Sequence, residues 1–175
     1  MGHDVFISYS RKDKIVVDFI CEELNRNSIS YWIDKDAIRM GDAFSEKIVS
    51  AIKESKVTVF ISSNDSNLSH YTIKEITIAF KNNKHIIPFR IEDVPFADSL
   101  EFYLCDLNWV DAFPDYYIHI EKLITDIKRL VRRDDNSYVE PDTNIRNDRS
   151  VDLNHLDEPT SILGKFFYKI FIDKQ

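Results

Sequence analysis

Few residues in this chain have the type and setting to do chemistry, and one glutamate stands apart from the rest. Tyr71, Glu75, Ile78 and Ala79 recur at helical spacing, so the carboxylate of Glu75 interrupts a mainly apolar stripe. Read alone, Glu75 is an exposed or salt-paired helical glutamate, the ordinary state of such residues. Held out of water beside a ligand, the same carboxylate could stabilise positive charge in a transition state. Arg11 sits in the polar cluster Ser10-Arg11-Lys12-Asp13. Its guanidinium, always charged and able to form paired hydrogen bonds, suits an anionic ligand as well as it suits plain solvation.

Other chemistries are excluded by what is missing. Three glycines, Gly2, Gly41 and Gly164, cannot build a G-x-G-x-x-G or Walker A loop. Cys21 and Cys105 lie far apart, with no C-x-x-C pair and no histidine at zinc-ligand spacing, so no metal site is expected and both are predicted to be buried thiols. A phosphate-accepting receiver needs acidic residues after its first strand and an aspartate ending its third. Here those strands run into Tyr9-Ser10-Arg11 and Ser62-Ser63-Asn64.

For the candidate side chains to meet, the elements carrying them must converge, and the hydrophobic pattern predicts how. Residues 4–9 form a short apolar run that predicts a first strand. Ile15, Val16, Phe19, Ile20 and Leu24 repeat at three and four residues, predicting an amphipathic helix with one stripe against a sheet. Further strands are expected over 30–33, 57–61, 86–91 and 107–110, and further helices over 43–54, 68–81 and 118–131. Residues 34–42 read as a polar loop, and the stretch before 107 as weakly structured. Pro88 cannot donate to a ladder, which suggests a bulge or a sheet edge there. Strands alternating with helices imply right-handed crossovers and an α/β, flavodoxin-like three-layer sandwich around a five-stranded parallel sheet. Ligands in such sheets bind at the carboxyl ends of the strands, which gathers residues 10–13, 34–42 and 62–71.

The composition fits one domain with a proper core. Of 175 residues, 43% are hydrophobic and 30% charged, as in ordinary globular proteins. A formal net charge of −7 argues against nucleic acid as the main partner. No run of about 18 apolar residues and no signal peptide is visible, so a cytoplasmic protein with no membrane partner is expected. The domain is expected over residues 1–133, followed by a polar linker or arm over 134–160 and an amphipathic segment over 161–175. In that last segment Leu163, Phe166, Phe167, Ile170 and Phe171 fall at helical spacing. It reads as a terminal helix docked on the domain, as a surface for a partner or a second copy, or as a membrane contact.

Several local motifs stand in one order and spacing. They are Asp4-Val5-Phe6-Ile7-Ser8-Tyr9-Ser10, Trp32-Ile33-Asp34 with Ile38-Arg39-Met40-Gly41-Asp42, the set Ile48, Ala51, Ile52 and Ser55, and Ser62-Ser63 with Ser69-His70-Tyr71-Thr72-Ile73-Lys74-Glu75-Ile76. Over about residues 2–133 this series resembles the Toll/interleukin-1 receptor (TIR) domain family. The first motif resembles the family's first box, and the second its second strand and BB loop, with Met40 where many members carry proline. The last matches Ser, any residue, Trp, Cys, two residues, Glu, Leu, with Tyr71 and Thr72 replacing Trp and Cys. The resemblance implies an enzyme of the NAD-cleaving type, with Glu75 as catalytic residue and NAD as substrate rather than cofactor. It implies that Tyr9, Ser10 and Arg11 bind the substrate, with Arg11 near the diphosphate, that Ile38, Gly41 and Ala43 line the adenosine side, and that Tyr71 walls the nicotinamide or ribose. Plainer roles stand beside these: a solvated Arg11, an Ile38 that anchors its loop, a Gly41 kept for positive φ, and a core aromatic at Tyr71. His70 is assigned no role.

The chemistry accounts for a glutamate. Nicotinamide leaves as a neutral molecule, and positive charge spreads over the ribose ring carbon and oxygen. A carboxylate favours that transition state over the ground state, as in glycoside hydrolysis, and also accepts hydrogen bonds from ribose hydroxyls. Water then gives ADP-ribose, and an internal nucleophile gives a cyclic isomer. Free-standing TIR proteins of this size resemble antiphage (Thoeris-like) components, which implies a signal read by a separate effector and self-association through the TIR domain. Two other functions remain beside this one. The chain could be a TIR–TIR interaction module without chemistry, or a ribosyl or deoxyribosyl transferase acting on another nucleoside.

Overall fold

A computed structural model describes residues 2–34 and 42–134. The expected arm and the C-terminal amphipathic segment lie outside these residues. In chain order the elements are β1 (Val5–Ser8), a 3-10 turn (Arg11–Asp13), α1 (Lys14–Arg26), β2 (Tyr31–Trp32), α2 (Asp42–Glu54) and β3 (Val57–Ser62). There follow α3 (Asn64–Asn67), α4 (His70–Lys81), β4 (His85–Arg90), α5 (Asp98–Leu104), β5 (Val110–Asp111) and α6 (Tyr117–Asp134). The five strands are all parallel, in the order β2-β1-β3-β4-β5. Helices α1 and α6 pack together on one face; α2, α4 and α5 cover the other. This is the three-layer α/β sandwich expected from the alternation of patterns.

Each face has its own apolar filling because successive strand residues point opposite ways. Phe6 and Phe60 join Ile48, Ile52, Ile76 and Leu104 in the core under α2, α4 and α5. Val5, Ile7, Val59 and Ile61, also fully buried, therefore face the α1 and α6 side. Helix α1 buries Val16, Val17, Phe19, Ile20 and Leu24, while Ile15 is exposed rather than part of the stripe.

Scarce glycine leaves its mark on the helix exits. Helices α1 and α4 both leave through a left-handed residue that is not glycine, Ser28 (φ 56°) and Asn83 (φ 52°). In each case the following amide bonds back across the last turn, Ile29 N to Leu24 O at 2.9 Å and Lys84 N to Ala79 O at 3.0 Å. These are Schellman closures, which satisfy carbonyls that would otherwise be orphaned.

Four expectations need correction. The single helix expected over 68–81 is two, broken at an exposed Leu68, because Ser63 and Ser69 each cap a separate start with their hydroxyls. The stretch before 107 contains α5, which is short but pins Leu100 and Leu104 into the core at a four-residue spacing. The last strand is Val110–Asp111 rather than 107–110; Leu107 instead packs against the core cluster. Cys21 is buried as expected, but Cys105 is exposed at the end of α5. Pro88 lies inside β4, which is not an edge strand; β5, however, pairs only with Phe89 and Arg90. The strand up to Pro88 thus has a neighbour on one side only, where a missing N–H is tolerated.

Candidate active site

In a parallel sheet of this strand order the ligand position is expected at the carboxyl ends of β1 and β3. The connection leaving β1 runs through α1 on one face to β2, and the one leaving β3 runs through α3 and α4 on the other to β4. Two neighbouring strands whose connections part in this way leave a gap between them, the usual ligand position in such sheets.

Alternation along β1 decides what faces that gap. Phe6 lies in the α4-side core, so Ser8, two residues on, turns the same way and meets α4. Its hydroxyl donates to Oε2 of Glu75 at 2.6 Å, and both side chains are buried, Ser8 completely and Glu75 to 9% residual exposure. On α4 the buried stripe is Thr72, Glu75, Ile76 and Ala79. Tyr71 is not part of it: the side chain is 66% exposed, which excludes the core aromatic role. Thr72 sets this rotation, since its hydroxyl donates to the carbonyls of Ser66 and Ser69 and turns the preceding residue outward.

Burial dominates the electrostatics of Glu75. Removal from water pushes its carboxyl up to about 7; the Ser8 hydrogen bond pulls the other way, and the negative charge of Asp34 adds a little to the rise. A carboxylate so perturbed by burial is a candidate functional group.

Tyr9 turns to the opposite face of β1 and lines an open pocket with Arg11, Lys14, Asp18, Tyr31 and Asp34. Its phenol donates to the carbonyl of Asp34 at 3.2 Å, and burial together with the Asp34 charge raises its pKa. The Arg11 guanidinium bonds the Asp34 carboxylate at 3.1 Å and remains 53% exposed. Ser10 caps the 3-10 turn, accepting from the amide of Lys12. Tyr9 and Arg11 both bond Asp34, whereas Glu75 bonds Ser8 and feels Asp34 only through its charge. Ile38 and Gly41 lie outside the described residues, as does the side chain of Ala43. Among the described residues no group of three or more His, Cys, Asp or Glu is placed to hold a metal ion.

Two contributions escaped the sequence reading. Ser8 was visible only as part of a motif, although a hydroxyl after Val-Phe-Ile on the core side of a strand calls for a buried acceptor. Asp13 was likewise not singled out. Buried, it accepts from the hydroxyl of Ser63 at 2.6 Å, tying the loop after β1 to the start of α3, and its carboxyl is pushed up by burial. Beside it Lys12 bonds Asp65 at 2.7 Å, so the loops after β1 and β3 are held together twice.

The model of the family described as TIR domain matches residues 5–124 of the chain. The chain belongs to the TIR domain family. This TIR domain is 26% identical over 138 residues to a probable 2' cyclic ADP-D-ribose synthase, TcpO, of Methanobrevibacter olleyae, the match covering 75% of the chain and 39% of that protein. It is 31% identical over 88 residues to a probable 2' cyclic ADP-D-ribose synthase, BdTIR, of Brachypodium distachyon, covering 49% of the chain and 39% of that protein. The chain thus spans well under half of each relative. Among solved structures, the TIR domain of a Toll-related receptor from Hydra magnipapillata superposes with a TM-score of 0.59 at 23% identity, covering 73% of this chain and 99% of that one. A TIR-STING receptor from C. gigas gives a TM-score of 0.59 at 21% identity, covering 71% and 39%. Both likenesses establish the fold. No helix among the described residues is long and apolar enough to cross a membrane.

Proposed function

We propose that this TIR domain breaks the bond between nicotinamide and ribose in NAD, with Glu75 as the carboxylate that stabilises the cationic sugar. The observation that carries the reading is the burial of Glu75 at the parting of β1 and β3, braced by Ser8. Both relatives named above are described as probable cyclic ADP-ribose synthases, which supports the same substrate for this chain.

The steps follow from charge. Nicotinamide departs with the electron pair of the C–N bond and becomes neutral, leaving an oxocarbenium ion at the ribose. In a crevice shielded from water the ionised carboxylate attracts that cation more strongly than it would in bulk. Water captures the ion and releases a proton to give ADP-ribose; capture by an adenine nitrogen or a ribose hydroxyl gives a cyclic isomer. The names of the relatives favour a cyclic product.

Because only the ionised form of Glu75 stabilises a cation, kcat/KM is expected to rise with pH through an acid limb centred near 7, the position to which burial lifts the carboxyl. Nicotinamide release measured from pH 5 to 9 reads it. A limb centred near 4.5 would mean that Glu75 is not desolvated in the working enzyme.

Arg11 is the candidate contact for the diphosphate. As an exposed ion pair with Asp34, it contributes little to folding. Arg11→Ala is expected to shift the folding free energy by less than about 1 kcal/mol. It should raise KM for NAD about tenfold, the loss of one charge-assisted bond. Equal KM values for both proteins would assign Arg11 to solvent.

The biological reading is a cytoplasmic antiphage component. Its TIR domains self-associate to complete the site, and its ADP-ribose-type product is read by a separate effector. Incubating the purified full chain with NAD and identifying the products by mass spectrometry tests the substrate and the product together. Deleting residues 134–175 and repeating the assay reports whether the tail restrains or completes the site. No nicotinamide release under crowded conditions would leave an interaction module.

A further inference from the structure

Among the described residues Glu75 is held by one oxygen. Its Oε2 accepts the 2.6 Å bond from Ser8, and no other hydrogen bond to this carboxylate occurs among the described residues. Oε1 has no hydrogen bond among the described residues and is not one of their buried polar atoms left without a partner, so the residual exposure of the side chain includes that oxygen. Ser8 is the last residue of β1, fully buried, and rigidly placed by pairing with β3 opposite Phe60. A short bond between a hydroxyl and a carboxylate is the strong, charge-assisted kind, and it fixes the acceptor's orientation. We infer that Ser8 is a positioning residue: its hydroxyl anchors Oε2 of Glu75, so that Oε1 is the oxygen presented to the sugar.

The surroundings leave this work to Ser8. Thr72, one turn away on the same helix, has committed its hydroxyl to two backbone carbonyls. On α2 the residues Glu46, Lys47, Lys53 and Glu54 are exposed, as are Asp98 and Glu101 on α5. On α3, Asp65 is paired with Lys12; on β4, His85 is exposed and Arg90 bonds Asp111. Among the described residues Asp34, after β2, is the charged group that bears on Glu75, and its charge opposes ionisation. Ser8 therefore supplies the hydrogen bond that favours the anion, against burial and Asp34 together.

The catalytic half of this inference rests on the NAD-cleaving reading, whereas the ionisation half does not, and the experiment separates them. The titration of Glu75 is followed by NMR on the full chain carrying carboxyl-labelled glutamate, with the signal assigned by its disappearance in Glu75→Gln. Ser8→Ala is expected to raise the midpoint by about one unit, a tenfold change in the ionisation constant, the loss of one charge-assisted bond. Ser8→Cys, which fills the space with a poor donor, should shift it in the same direction, and Ser8→Thr, which keeps the hydroxyl, should restore it. In nicotinamide release the acid limb of Ser8→Ala should move up by the same amount, and its plateau kcat should fall about tenfold with KM little changed. A Glu75 midpoint equal to wild type in both Ser8→Ala and Ser8→Cys overturns the anchoring of Glu75 by Ser8. A shifted midpoint with an unaltered plateau kcat overturns the aiming of Oε1. If the wild-type chain releases no nicotinamide while the midpoint still moves, the anchoring stands and the NAD-cleaving reading fails.

Discussion

Glu75→Gln should lose nicotinamide release by at least about a hundredfold, with binding of NAD largely kept. The amide has the shape of the carboxyl and still accepts from Ser8, so the change removes charge and little else. Electrostatic groups aimed at developing charge are worth on the order of 3 kcal/mol or more in a barrier when the site is shielded from water. Glu75→Ala should be at least as poor, and its comparison with glutamine separates lost charge from lost packing. Chromatographic assay of nicotinamide at saturating NAD provides the measurement. A glutamine variant that kept a third or more of the wild-type rate would show that the charge at this position is not used.

The same substitution should make the protein more stable, and increasingly so as the pH rises. In the folded chain the carboxyl sits at about 7, above its usual 4.5, because burial favours the neutral form. A group raised in this way binds its proton more tightly when folded, so its contribution is fully present below the unfolded value and is lost as pH climbs through the folded one. Above pH 7 the ionised glutamate therefore costs on the order of 3 kcal/mol of folding stability that glutamine does not. Thermal melts at pH 8 should place Glu75→Gln roughly 10 °C above wild type. The gap should narrow to a few degrees near pH 5. A variant no more stable than wild type at pH 8 would mean that the carboxylate is solvated, and the site would lose its defining feature. A residue that impairs folding while enabling chemistry is the expected trade at an active centre.

The pattern of residues carried the architecture further than it carried the site. Strands β1 and β3 were legible because they are continuous apolar runs buried on both faces, and α1, α2 and α6 because their stripes repeat at helical spacing. Helix α5 was not: seven residues offer two turns, too few for a periodicity to separate from chance. The break at Leu68 was hidden for a related reason, since Ser63, Ser66 and Ser69 are ordinary loop residues until their hydroxyls are seen to cap.

Glu75 could be selected as the residue of interest from its motif, yet its state could not. A helix drawn from spacing alone leaves the direction of the stripe uncertain by about one residue, or 100°. That margin placed Tyr71 with Glu75 on one face, whereas the folded chain turns Tyr71 out and Thr72 in. Local order along the chain thus decided which elements form and which end of the sheet gathers the loops. The bond from Ser8 joins residues 67 positions apart, and the lifted carboxyl depends on the packing of a whole helix against a strand. Burial and hydrogen bonding between distant segments are properties of the assembled layers, because desolvation has no meaning until a second surface excludes the water.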